Sequence, residues 1–109
     1  MTADPGPARA SQDRADAVAA AVLAVPGVAR LHTGAFGEVG TYLPGRRVAG
    51  VRIRPDGVEV HVVVEHALLD RRVPLPVLAE QVHRAVGAQV PGPVHVYIDD
   101  LDEPPPPSV

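Results

Sequence analysis

The sequence predicts an α+β fold: a two-layer sandwich in the order α-β-β-β-α-β, its mixed sheet carrying two helices on one face. Three observations lead there. Pro55-Asp56-Gly57 stands between two valine-rich runs of alternating character, the signature of a hairpin. Two stretches, one on each side of that hairpin, repeat apolar residues at helical spacing. The second is followed by another alternating run, and a helix between two strands lets the later strand lie parallel to an earlier one.

Residues 1–10 mix Pro, Gly, Asp and Ala without apolar periodicity and are expected to form a disordered N-terminal arm. Ser11 caps the first predicted helix, which runs to about Ala24. Asp13 in its first turn suits the helix dipole, and Pro26-Gly27 ends it. Its apolar stripe is Ala15, Val18, Val22 and Val25. A short strand, Val28 to His32, follows. The hairpin strands are Val48 to Arg54 and Val58 to Glu65. With Asp56-Gly57 as a two-residue turn, Arg54 faces Glu59, Arg52 faces His61, Ile53 faces Val60 and Val51 faces Val62. One face then carries Val51, Ile53, Val58, Val60, Val62 and Val64, and the other Arg52, Arg54, Glu59, His61, Val63 and Glu65. A second helix starts near Pro74 or Pro76 and ends at Gly87, its stripe formed by Leu75, Leu78, Val82, Ala85 and Val86. The last strand, Val94 to Asp99, turns Val94, Val96 and Ile98 inward. Residues 102–109 are an acidic, proline-rich tail expected to be disordered, which leaves 11–101 as one folded domain.

Composition narrows the function. The chain has 109 residues and a formal net charge of −3; all ten cations are arginine, and cysteine is absent. A disulfide framework and a thiolate zinc site are therefore excluded. A mildly acidic chain offers no general field for a nucleic-acid backbone, and no nucleic-acid partner is expected. The apolar stretch Ala17 to Val25 is preceded by Arg9 and Arg14, but Asp4, Asp13 and Asp16 spoil a positive signal-peptide region. It is also far shorter than a membrane-spanning helix. The expectation is a cytoplasmic protein without a transmembrane segment.

No catalytic set emerges, because the serines and threonines lie at the chain ends or near the glycine-rich loop and form no recognisable nucleophile–base–acid pattern. The expectation is a non-enzyme without a cofactor. Glu59, His61, Glu65 and His95 are the candidate metal ligands, since they share a sheet face if the last strand is adjacent. Alternating polar residues are, however, what any solvated sheet face shows, and that plainer reading is preferred. The loop from Gly34 to Arg47 has no phosphate-gripping GK[ST]. Its two GxxG strings follow a strand and carry no base between the glycines, which argues against a KH-type nucleic-acid loop. Phe36, Tyr42 and Leu43 place two of the three aromatics in that loop. They either fold back to cap the core or anchor a partner, with capping slightly preferred. Arg46-Arg47 and Arg71-Arg72 are the only doubled cations and complete the partner-binding candidates.

Five strings in order carry a family resemblance: Val25-Pro26-Gly27-Val28-Ala29-Arg30-Leu31; Val48-Ala49-Gly50-Val51-Arg52-Ile53; Val60-His61-Val62-Val63-Val64-Glu65-His66; Pro74-Leu75-Pro76-Val77-Leu78-Ala79-Glu80-Gln81-Val82; and Val94-His95-Val96-Tyr97-Ile98-Asp99. From about Ala15 to Leu101 the chain is similar to the alkaline shock protein family, the bacterial envelope stress response proteins. Arginine in place of lysine, with many Ala, Val and Pro, points to an actinobacterial member. The resemblance implies a non-enzymatic cytoplasmic scaffold. Such proteins gather beneath the membrane through an integral membrane partner, support envelope homeostasis, and in some cases self-associate. The short Ala-rich start and the acidic-proline tail depart from the family. Two other classes compete: a metal- or ligand-binding module on the polar sheet face, and an RNA-binding module using Arg46, Arg47, Arg52 and Arg54.

Overall fold

The computed structural model describes residues 7–70 and 73–102, with side-chain detail for 14–68 and 73–102. Three helices and six strands follow in the order α1 (Pro7–Leu23), β1 (Val28–Leu31), β2 (Gly40–Leu43), β3 (Arg46–Ala49), β4 (Val51–Arg54), β5 (Gly57–Glu65), α2 (Ala67–Asp70), α3 (Leu75–Gly87) and β6 (Val94–Asp102). The α+β class is as the sequence predicts. α1 begins at Pro7, so Ser11 lies inside the helix rather than capping it. Proline suits a first helical position, where its missing N–H has no partner to lose.

β5 is the axis of the sheet. Along one edge β6 pairs with it in parallel; along the other, β4 pairs antiparallel with its first half and β1 antiparallel with its second. The join falls at His61, whose N–H donates to the Gly50 carbonyl and whose carbonyl accepts from the His32 N–H, both at 2.9 Å. β4 and β1 thus act as one interrupted strand, and β5 is paired on both sides for most of its length.

The hairpin register differs from the expected one by two residues: Val51 pairs with Val60, Arg52 with Glu59, Ile53 with Val58 and Arg54 with Gly57. The turn is Pro55-Asp56. Proline favours the second position of such a turn, and glycine the fourth, whereas the expected register needed Pro55 in the ladder without an N–H to give. A two-residue shift preserves which face each side chain occupies. The valine face is therefore as predicted even though the partners are not.

The second predicted strand is broken. Gly50, at φ +76°, separates β3 from β4, and β3 turns away to pair with β2 across Pro44-Gly45, Leu43 facing Arg46. This two-stranded hairpin was not predicted, nor was the single-turn α2. β6 also extends past the expected end to Asp102.

α1 and α3 cover the valine face together. Ala15, Val18 and Val22 of α1 and Leu78, Val82 and Val86 of α3 are fully buried against Val51, Val60, Val62 and Val64, with Val58 and Val94 nearly so. Both predicted stripes face the core, and Leu75 and Ala85 pack at its margin.

Candidate functional site

Two groups of residues stand outside the core. The first is the glycine-rich segment from Gly34 to Arg47, which carries Phe36 at 92% and Tyr42 at 72% exposure. Of the trio expected to cap the core, only Leu43 packs against it. The capping reading is corrected for the two rings. β2 and β3 form a separate hairpin, so Tyr42 projects from a strand face that meets no other layer, and Phe36 sits in the preceding turn.

The segment is braced from several sides. The Arg47 guanidinium donates from Nη2 to the carbonyls of Gly37 (2.8 Å) and Val39 (2.9 Å) and lies 5.3 Å from the centre of the Tyr42 ring. Its Nε is buried without a hydrogen-bond partner. Arg46 grips Asp16 of α1 with two hydrogen bonds of 3.0 and 2.7 Å. Those bonds hold the Asp16 carboxyl below its ordinary range, and Asp16 in turn holds the Arg46 guanidinium above its own. Thr41 Oγ1 donates to the Val51 carbonyl at 2.6 Å, and Arg52 Nη2 donates to the Glu38 carbonyl at 3.1 Å. Arg46 and Arg47, offered by the sequence as partner contacts, both brace the loop through bonds within the chain. Arg71 and Arg72 lie outside the described residues.

The second group is on the polar sheet face. His61 of β5 directs Nδ1 to Asp99 Oδ2 at 2.5 Å and Nε2 to Glu59 Oε2 at 2.8 Å. Its ring stacks on Tyr97, the residue beside it in the parallel register, with centroids 4.5 Å apart and an interplanar angle of 16°. Asp99 arrives there through a bulge, since β6 advances from Ile98 to Asp100 while β5 takes one step from Val62 to Val63. Arg52 and Arg54 approach the same Glu59 at 3.7 and 3.6 Å. His32 Nδ1 accepts the Gly34 N–H at 2.9 Å, so its 3.3 Å approach to Asp99 Oδ2 brings two acceptors together without a hydrogen between them.

Of the four candidate metal ligands, only Glu59 and His61 touch. His95 stands beside Glu59 in the register but is exposed, and Glu65 lies at the far end of β5, opposite Asp102. Both His61 nitrogens are already engaged by carboxylates, and among the described residues no group of three such side chains is placed to hold a metal ion. Asp99 and His32 were missed: one is positioned by a bulge, the other by a loop, and alternation reports neither. A shallow cleft of about 280 Å³ opens between the Arg54–Gly57 turn and the Val90–Pro93 segment, with Arg14 at its side. Among the described residues no helix is long and apolar enough to cross a membrane. Comparison with protein-family models, curated proteins and solved structures found no match to the chain.

Proposed function

We propose that this protein is a non-enzymatic scaffold of the envelope stress response, acting through protein–protein contacts at the inner face of the cell membrane. The observation that carries the reading is the braced hairpin. Two aromatic rings stand largely in solvent on a segment held in place by hydrogen bonds from the Thr41, Arg46, Arg47 and Arg52 side chains, those of Arg46 forming an ion pair with Asp16. Exposed rings on a pre-organised support bind well, because little conformational freedom remains to be lost on association. The family resemblance supplies the setting: an integral membrane anchor as partner, self-association, and envelope homeostasis as the outcome.

The competing classes draw less support. A metal-binding module would need a lone pair from His61, whose nitrogens both face carboxylates. An RNA-binding module would need Arg46, Arg47, Arg52 and Arg54, each of which lies against an acid or a carbonyl of its own chain. Stoichiometric zinc in the purified protein, or salt-dependent RNA affinity, would revive them.

The test is affinity capture from the native cell, with the unaltered chain and a Phe36→Ser/Tyr42→Ser variant side by side. The unaltered chain is expected to sediment with membranes and retain an integral membrane protein. The variant, which alters only exposed rings, is expected to fold equally well and lose both. Equal capture by the two, or purely soluble behaviour with no envelope defect on deletion, would overturn the proposal.

A further inference from the structure

β6 has a strand on one side only. β5 pairs with it from Val58 to Glu65, and among the described residues no strand lies along its other edge. Unpaired edges invite another strand, and folded proteins usually guard them with charge, proline or a bulge. This edge is guarded at its two ends. Pro91 and Pro93 precede it, and the bulge with Asp99, Asp100 and Asp102 closes it. Between the guards lies a short window, His95-Val96-Tyr97-Ile98, bordered by the bulged Asp99. Its side chains alternate between the half-buried Val96 and Ile98, which pack at the margin of the core, and the exposed His95 and Tyr97, with Asp99 exposed at the border.

We infer that this window pairs antiparallel with the same window of a second copy, joining two sheets into one across a twofold axis at Tyr97. A twofold perpendicular to the sheet keeps each side chain on its own face, so short of the bulge only registers pairing residues of equal parity are open. Centred on Tyr97, Val96 meets Ile98 on the helix-covered face. Tyr97 meets Tyr97 and His95 meets Asp99 on the other. Apolar residues oppose apolar ones, rings oppose rings, and imidazole opposes carboxylate, the pairs that stabilise antiparallel ladders. Centring on Ile98 would carry Val96 and Val94 across the bulge towards Asp100 and Asp102, which it has turned to the opposite face. Centring on Val96 would set Pro93, which has no N–H to contribute, against Asp99 and lose the His95 pairing. Asp99 is prepared for this contact, since its engagement with His61 uses Oδ2. The interface names how the scaffold meets itself, and it lies on a different element from the hairpin that carries the proposed partner contact.

The absence of cysteine makes the test direct. Across such a pair the two Tyr97 Cα atoms would lie about 4.5–5.5 Å apart, within disulfide reach. The unaltered chain is expected to sediment as a concentration-dependent dimer. Tyr97→Cys should oxidise to a covalent dimer about tenfold faster than Tyr42→Cys, although Tyr42, on the β2–β3 hairpin, is the more exposed of the two. His95→Asp, which places carboxylates opposite each other, should shift the equilibrium towards monomer. A chain that stays monomeric at about 0.5 mM, well above the concentrations of specific complexes, would overturn the inference. So would cross-linking at Tyr97→Cys no faster than at Tyr42→Cys. The Phe36→Ser/Tyr42→Ser variant should still dimerise, so failure of the partner proposal and failure of this one give different results.

Discussion

Gly57 sits at φ +154°, and a Cβ built there would lie 2.6 Å from the Pro93 carbonyl oxygen, the acceptor of the Val58 N–H. Backbone against backbone cannot yield as a flexible side chain can. Gly57→Ala should therefore destabilise the fold by about 2 kcal/mol, read as a lower urea midpoint at an unchanged slope. Gly87, at the end of α3 with nothing within 4 Å of such a Cβ, should respond with the opposite sign: Gly87→Ala should gain about 0.5 kcal/mol. The Asp16–Arg46 pair adds a pH dependence. The folded state lowers the Asp16 carboxyl below its unfolded value, so its contribution is present above the unfolded value and is lost as pH falls through the folded one. Asp16→Asn should thus cost stability at neutral pH, and the gap from the unaltered chain should close as pH drops below about 4. A gap independent of pH would mean that the pairing charge is not what Asp16 contributes.

At the scale of elements, the same pair joins α1 to the hairpin. Arg46→Ala should lower the unfolding midpoint at neutral pH as Asp16→Asn does, and hydrogen exchange should quicken most between Gly40 and Ala49, because the hairpin meets the main sheet mostly through β4 and has no core of its own. Uniform quickening across the chain would argue that the hairpin and the sandwich open together. Periodicity made the helices, β5 and the valine face legible, since each buries one continuous stripe. It could not show the break at Gly50. Val48 and Val51 are both buried, and only the backbone turn between them reveals that they belong to different sheets. Nor could it place Asp99 beside His61, because a bulge shifts residues off the alternation on which that reading depends. Phe36 and Tyr42 were misjudged for a related reason: an apolar residue in an unpredicted hairpin has no core to face.

Taken whole, the molecule is held by aliphatic side chains, with every described ring left at least partly in solvent. α1, α3 and the sheet share one continuous cluster, and Leu78 is its pivot. Fully buried, Leu78 reaches to Gly27 in the turn between α1 and β1, where a Cβ would come within 3.3 Å of its Cδ1 and 2.9 Å of the Leu68 Cδ1. Truncating it opens a void where both helices and the crossover meet, a site whose neighbours are branched and poorly able to collapse inward. Leu78→Ala should cost about 2–5 kcal/mol. Small domains are stable by only about 5–15 kcal/mol, and one of this size belongs near the lower end. The substitution should therefore remove a large part of the total. Because the cluster is single, far-UV circular dichroism and fluorescence from Tyr97 in a Tyr42→Phe background should report one shared shift in midpoint. If helix signal persisted after the sheet probe had melted, α1 and α3 would be stable without the valine face, and the single-core account would fail.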